Sequence, residues 1–229
     1  MTSNTKVWDL PTRIFHWALA ASFAGAYVLS ESERLRNVHV ALGYTVLGLL
    51  AFRLVWGFIG PRYARFSSFV HSPVAAFRYL RDEVRGCAPR YVGHNPAGSW
   101  AVFGLLILGV ATGVTGYLNF NEQGGESMED LHEVFASAWL VLVGLHILGV
   151  AFSSLMQREN LVHSMITGFK RGVAEGTEPR NARGVGLAMV AGILGFWDWT
   201  ATSGGGAPGA GPGQGEQSEL ATESETDDD

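Results

Sequence analysis

Long apolar segments constrain this chain more than any other feature of its sequence, because about 20 apolar residues in a helix span the roughly 30 Å hydrocarbon core of a bilayer. Four segments are long enough, at about residues 14–30, 38–58, 98–118 and 131–156. Within a bilayer, only helices and closed barrels satisfy all their backbone hydrogen bonds. The pattern predicts an all-α integral membrane protein, built as a four-helix transmembrane bundle.

The basic residues predict the orientation of this bundle, since Lys and Arg concentrate in cytoplasmic loops. Fourteen of the 16 basic residues lie before the first span, at or after the end of the second span, or after the fourth. On the other side of the membrane the sequence places two, Arg34 and Arg36. We therefore expect a multi-pass protein of the cell inner membrane with its N-terminus in the cytoplasm.

Two further segments follow the fourth span. Residues 184–199 are apolar, but their uncharged part is only about 21 Å long as a helix, which suits either a short fifth span or an interfacial helix. We expect a fifth helix. Residues 203–229 are rich in Gly and Pro and then acidic, which predicts a disordered tail. Without the seven acidic residues of that tail, the net charge of −5 becomes slightly positive, and nothing indicates binding to nucleic acid.

The loop between the second and third spans contains a shorter amphipathic pattern. Phe69, Phe77, Leu80 and Val84 recur at helical spacing, with arginines between them. This pattern is typical of a helix lying at the cytoplasmic membrane surface. A docking surface for a partner protein explains it equally well.

Cysteine usage excludes several redox centres. Cys87 is the only cysteine in the sequence, so the chain cannot form an internal disulfide, a cysteine-ligated iron–sulfur cluster or a thiolate zinc site. The sequence also has no C-x-x-C-H motif, the attachment site of c-type haem. Any haem must therefore be held non-covalently, by side-chain ligands.

Four histidines are placed where they can supply such ligands. His132 and His146 are 14 residues apart in the fourth span, almost four helical turns, so they share a face and lie about 21 Å apart along the axis. In the predicted orientation, His39 falls at the depth of His132, and His16 at the depth of His146. Two neutral imidazoles from different helices form an axial ligand set for a haem iron. The pattern predicts two such sites.

Neighbouring residues fit a haem site, although each also has an ordinary structural explanation. Arg13 and Arg53 can pair with haem propionates, or they can anchor span ends at the cytoplasmic surface. Glycines in the second and fourth spans leave room for a flat macrocycle, or they allow close helix packing. The other histidines are His71, His94 and His163, which we expect at the surface; for His94 a place beside a quinone pocket is the second interpretation.

Two other functions remain open from the residues alone. A small membrane transporter or proton pathway would use the intramembrane histidines as a relay, which favours acids spaced through the bilayer. Glu133 is the only acid near the interior of the spans, and it lies at an edge. A structural anchor for a soluble partner is the third alternative, and it gives no role to a mid-span histidine such as His146.

Five stretches resemble the bacterial cytochrome b561 family, which includes the membrane cytochrome b subunits of nickel–iron hydrogenases. They are "VWDLPTRIFHW", "VHVALGYTVLGLLAFRLVWG", "HNPAGSW", "LHEVFASAWLVLVGLH" and "RENLVHSMITGFKR". The resemblance implies a transmembrane dihaem cytochrome b domain over residues 7–171. It implies two haem b groups, with His16 and His146 binding the cytoplasmic-side iron and His39 and His132 the outer one.

The same resemblance implies electron transfer between a redox partner and the quinone pool, with quinone as the small-molecule substrate. The partner would be a soluble or membrane redox protein, such as a cytochrome c or a hydrogenase-like protein. We expect an electron-transfer subunit, and whether it is an enzyme by itself depends on its having both a donor and an acceptor site. The apolar stretch at 184–199 and the acidic tail lie outside the resemblance.

Overall fold

The structure, a computed structural model, describes residues 4–171 and 182–203. The predicted acidic tail lies outside the described residues from residue 204 onward. The described part is helical apart from a small antiparallel pair of strands, β1 (Asn4–Lys6) and β2 (Phe169–Arg171). Its helices are α1 (Leu10–Val28), α2 (Arg36–Ile59), α3 (Pro73–Val84), α4 (Pro96–Phe120), α5 (Glu126–Gln157), α6 (Leu161–Thr167) and α7 (Arg183–Thr202). The predicted all-α class is confirmed.

Local sequence explains where several helices begin. Proline occupies the first turn of α1, α3 and α4, where a missing backbone N–H costs nothing. The Ser72 hydroxyl caps α3 by accepting from the Ala75 N–H, and the Asn95 side-chain oxygen caps α4 by accepting from the Gly98 N–H. These caps fix the points at which the chain enters the bundle.

Four of the described helices are long and apolar enough to cross a membrane, spanning Glu33–Ile59, Pro96–Phe120, Glu126–Gln157 and Arg183–Thr202. The first of these is α2 together with the single 3₁₀ turn before it. The last is α7, whose 20 residues extend about 30 Å, enough for a fifth span.

The first helix, α1, belongs to the bundle although it is not one of these four, so the span expected at residues 14–30 does not reach the hydropathy of the others. Its 19 residues include Arg13 and His16 in the first two turns. It runs antiparallel to α2 over its whole length: Trp56 of α2 donates to Asp9 at one end, and His39 of α2 meets the Ala26 carbonyl at the other. We call the end where α1 begins and α5 ends the N-terminal end of the bundle.

The helices are arranged around a small core in which α5 stands partly apart. Phe15, Leu49, Leu50 and Leu106 form that core, together with Trp139 of α5. The backbone of α5 packs mainly along α4. It faces α1 and α2 chiefly through aromatic and histidine rings.

The amphipathic helix that the sequence indicates is α3, and its two faces differ sharply. Its apolar side chains at Val74, Phe77, Leu80 and Val84 are exposed. The opposite face, with Ala76, Tyr79 and Glu83, is buried against the starts and ends of the long helices. An exposed apolar face on a surface helix is typical of contact with lipid.

Candidate functional site

Two pairs of histidines face each other across the bundle. The proximal pair, nearer the N-terminal end, joins His16 of α1 to His146 of α5, with ring centres 6.5 Å apart. The distal pair joins His39 of α2 to His132 of α5, with ring centres 6.2 Å apart. The structure therefore brings together the same partners that the sequence matches by depth.

Both separations suit a single metal ion held between two imidazoles. A metal about 2 Å from each ligating nitrogen, with each ring centre about 1 Å farther, separates the ring centres by about 6 Å. Among the described residues, no group of three or more His, Cys, Asp or Glu side chains is placed to hold a metal ion. Zinc sites need three or four protein ligands, whereas haem needs only axial ones because the macrocycle fills the other positions.

Hydrogen bonds orient the distal pair for ligation. Nδ1 of His39 lies 2.8 Å from the carbonyl oxygen of Ala26, and Nδ1 of His132 lies 2.9 Å from that of Thr112. A carbonyl oxygen only accepts, so each Nδ1 carries the proton and donates it. In a neutral imidazole the other nitrogen, Nε2, then keeps its lone pair free for a metal.

Buried nitrogens without a partner surround the proximal pair. Nδ1 of His16, Nε of Arg13 and Nδ1 of His94 are all buried and make no hydrogen bond to the described part of the chain. Buried polar atoms in proteins are nearly always satisfied, so a cluster of exceptions indicates a missing polar group. Haem propionates are groups of that kind, and the residues present fit them.

Glycines leave open space beside both pairs. Gly43 lies one turn after His39, and Gly149 one turn after His146, so each is near the ligand face of its helix. A Cβ added at either position would meet no other atom within 4 Å. Gly116 is the opposite case, since its Cβ would lie 2.8 Å from the His132 ring. Lack of a side chain at Gly116 lets the distal ring sit against α4.

Trp139 separates the two pairs along α5. It lies seven residues from each α5 histidine, about 10.5 Å along the axis, and on the same face. Its ring is buried and packs 4.5 Å, centre to centre, from Phe23 of α1. An aromatic layer therefore fills the bundle between the proximal and distal pairs.

The two predicted arginines lie at the N-terminal end, and protein groups already contact both. Arg13 donates to the Ile166 carbonyl. Arg53 is buried, donates to the Ala64 carbonyl at 2.9 Å and lies over the Phe66 ring. Neither of these contacts is to a carboxylate. Pairing with haem propionates stays a prediction for both residues.

His94 differs from the surface position that we expected. Its ring packs against Trp8 and Phe69, with centres 4.8 and 4.3 Å away. Burial, followed by the nearby charges of Arg53 and Lys170, lowers the pKa of His94 to about 3. The ring is therefore neutral at physiological pH. Sequence reasoning missed this residue because a loop histidine gives no periodic signal.

Of the two other histidines expected at the surface, His71 is half-buried and His163 is exposed. His71 contacts the Phe69 carbonyl and the Ser99 hydroxyl beside the start of α4. His163 is exposed on the short helix α6, where its backbone N–H bonds to the cap residue Asn160. Neither lies in a pair with another histidine in the part of the chain that the structure describes.

Comparison with known proteins agrees with this geometry. Residues 7–168 match the family described as prokaryotic cytochrome b561. A probable Ni/Fe-hydrogenase B-type cytochrome subunit of Azotobacter chroococcum mcd 1 is 27% identical over 211 residues, covering 72% of this chain and 87% of the relative. The probable Ni/Fe-hydrogenase 1 B-type cytochrome subunit of Escherichia coli (strain K12) is 24% identical over 218 residues, covering 72% and 89%.

No solved structure is significantly similar to the chain. The family match nevertheless spans all of α1 to α6, including both histidine pairs. The fold and the apolar helices are those of a multi-pass membrane protein. The chain therefore belongs to the prokaryotic cytochrome b561 family, membrane b-type cytochromes that use haem b to transfer electrons.

Proposed function

We propose that this chain is a dihaem electron-transfer subunit that links a redox partner to the quinone pool. His16 and His146 hold the proximal haem b, and His39 and His132 hold the distal one. The observation that carries the proposal is the presence of two histidine pairs at separations of 6.5 and 6.2 Å, each spanning two helices. Haem supplies one-electron redox chemistry in such a site.

The protein's own contribution is to orient the ligands and to exclude water. The Ala26 and Thr112 carbonyls orient the distal rings through Nδ1, so Nε2 of each ring would be the atom that holds a metal. Arg13 and His94 supply buried nitrogens for the propionates at the proximal pair. Trp139 and Phe23 keep the space between the pairs dry, and a dry surrounding raises the influence of nearby charges on haem potentials.

Orientation and partner follow from charge and from the relatives. The excess of basic residues at the N-terminal end supports an inner-membrane protein with that end in the cytoplasm. The similar proteins are described as probable cytochrome subunits of Ni/Fe-hydrogenases. A hydrogenase-like protein is therefore the partner we propose, with a cytochrome c as the alternative outcome of a binding test.

A haem count on the purified, detergent-solubilised protein tests the proposal. We expect two b haems per chain from the pyridine haemochrome spectrum, and one in the variant His146→Ala. His163→Ala is the matched control, because that histidine is exposed and unpaired with any other. Absence of haem after haem-replete expression would refute the proposal and favour the proton-pathway alternative.

A further inference from the structure

A buried carboxylate outside the histidine pairs, that of Glu83, lies at the N-terminal end of the bundle. Glu83 is 3% exposed and sits on the buried face of α3. Its Oε1 accepts three hydrogen bonds, from the Tyr79 hydroxyl at 2.9 Å, the Ser153 hydroxyl at 2.7 Å and the Gln157 amide at 3.2 Å. No cation among the described residues lies within ion-pairing distance of it. A proton can be held on Oε2 without breaking any of these bonds.

The hydrogen-bonded network continues beyond the carboxylate. The Tyr79 oxygen accepts from Gln157 at 2.6 Å and from Asn95 at 3.1 Å, while its own proton goes to Glu83. Burial, followed by the hydrogen bond to Glu83, raises the pKa of Tyr79. The phenol therefore stays protonated and keeps donating. This network joins α3 to the first residue before α4 and to the last turns of α5.

A polar cavity connects Glu83 with the outside of the bundle. Its volume is about 170 Å³. It is lined by two small residues and by Glu83, Arg90, Met156 and Gln157. That volume holds several water molecules, and the lining offers them polar partners. The charged and titratable groups that face Glu83 are Tyr79 from α3 and Arg90 from the loop before α4; α5 contributes only neutral Ser153 and Gln157.

The Glu83 network is aligned with the proximal pair. Ser153 follows His146 by seven residues, so the two share a face of α5 about 10.5 Å apart. The exposed apolar residues of α3, such as Phe77 and Val84, put this network at the depth of the lipid headgroups. A quinone that diffuses in the bilayer presents its polar ring at that depth.

We propose that Glu83 is the proton-exchanging residue for quinone chemistry at the N-terminal end, an inference that rests on the proposed function. Oxidation of a quinol to its quinone breaks two O–H bonds and releases two protons and two electrons. The haems held by the histidine pairs would accept the electrons. One proton forms a new O–H bond on the Glu83 carboxylate and then leaves through the cavity, which restores the carboxylate. The second proton follows the same route. In quinone reduction the proton travels in the opposite direction.

A purely structural role for Glu83, as a clamp that holds α3 in place, makes a different prediction. The variant Glu83→Gln keeps an oxygen that accepts all three hydrogen bonds, but it cannot exchange a proton. Asp82→Asn is the matched control, since Asp82 comes directly before Glu83 on α3 but lies outside the network. Among the described contacts, its side chain pairs only with exposed Arg81. Both variants remove one carboxylate from the same helix.

The first test measures the rate at which menadiol reduces the haems of the intact protein in detergent by stopped-flow absorbance. We expect Glu83→Gln to be about 100-fold slower than wild type, the loss typical of removing a general acid or base. Asp82→Asn keeps the wild-type rate, and dithionite reduces the same number of haems in all three proteins. Equal rates in Glu83→Gln and wild type would overturn the inference. A wild type that does not react with menadiol would instead refute the quinone arm of the proposed function.

A second readout does not need a variant at position 83. Infrared spectra of the wild type, recorded while menadiol reduces its haems, report transient protonation of buried carboxyl groups. We expect a transient carboxylic acid carbonyl band that shifts in D₂O and is unchanged in Asp82→Asn. Its absence from the wild type would overturn the inference even if Glu83→Gln proves unstable.

Discussion

Replacing Gly116 by alanine tests the distal pair without removing a histidine. The added Cβ would lie 2.8 Å from Cε1 and 2.9 Å from Nδ1 of His132. Carbon atoms in contact rest about 3.5 to 4.0 Å apart, so the ring must move by roughly 0.7 Å. That movement also strains the hydrogen bond from Nδ1 to the Thr112 carbonyl. Because metal–ligand distances tolerate only about 0.2 Å, we expect loss of the distal haem or a change in its potential.

The assay is a haem count followed by a redox titration of the purified protein. Gly116→Ala should show one haem per chain, or two with the potential of only one changed. Gly192→Ala is the control: it makes the same chemical change in α7, where a Cβ meets nothing within 4 Å. Two haems with both potentials at wild-type values in Gly116→Ala would show that His132 does not ligate from its position against α4.

Four further substitutions test other parts of the structure. Gly43→Leu and Gly149→Leu should each reduce haem content, although a Cβ at either position meets no atom of the chain within 4 Å; unchanged content would mean that no macrocycle fills that space. Gly186→Leu should lower stability by about 1 to 3 kcal/mol in thermal unfolding, because even an added Cβ would lie within 3.2 Å of side chains of α1. The haem count should stay at the wild-type value. Trp56→Phe should cost about 1 to 3 kcal/mol, since it leaves buried Asp9 without its 2.9 Å donor, and a melting curve like that of the wild type would contradict this account.

The histidine pairing could be predicted because depth in a membrane is a one-dimensional property. The helical repeat fixes the distance between His132 and His146, and the distribution of basic residues predicts the direction of each span. Together they match each histidine to a partner. The 6.5 and 6.2 Å separations need side-chain placement as well, which spacing alone does not provide.

Residues outside the spans could not be placed in the same way. His94 lies in a loop, and only tertiary packing brings its ring between Trp8 and Phe69. The period of α3 predicts an amphipathic helix, but in a water-exposed setting the same period would bury Phe77 and expose Glu83. Contact with lipid would reverse this preference, since the apolar face is then stable outside and the polar face finds its partners inside the protein. The Glu83 network was therefore hidden from a reading of polarity alone.

The direction of α7 has a consequence for how the chain enters the membrane. Gly186, near the start of α7, lies against Leu10 and Ile14, so α7 runs parallel to α1 and ends at the opposite side of the bundle. With the N-terminal end in the cytoplasm, as proposed above, the seven acidic residues that follow in the sequence must be translocated outward. An inside-negative membrane potential drives negative charge in that direction, by about 2.3 kcal/mol per charge for each 100 mV. In that orientation, the negative charge of these residues would favour transfer of the end of α7 across the membrane.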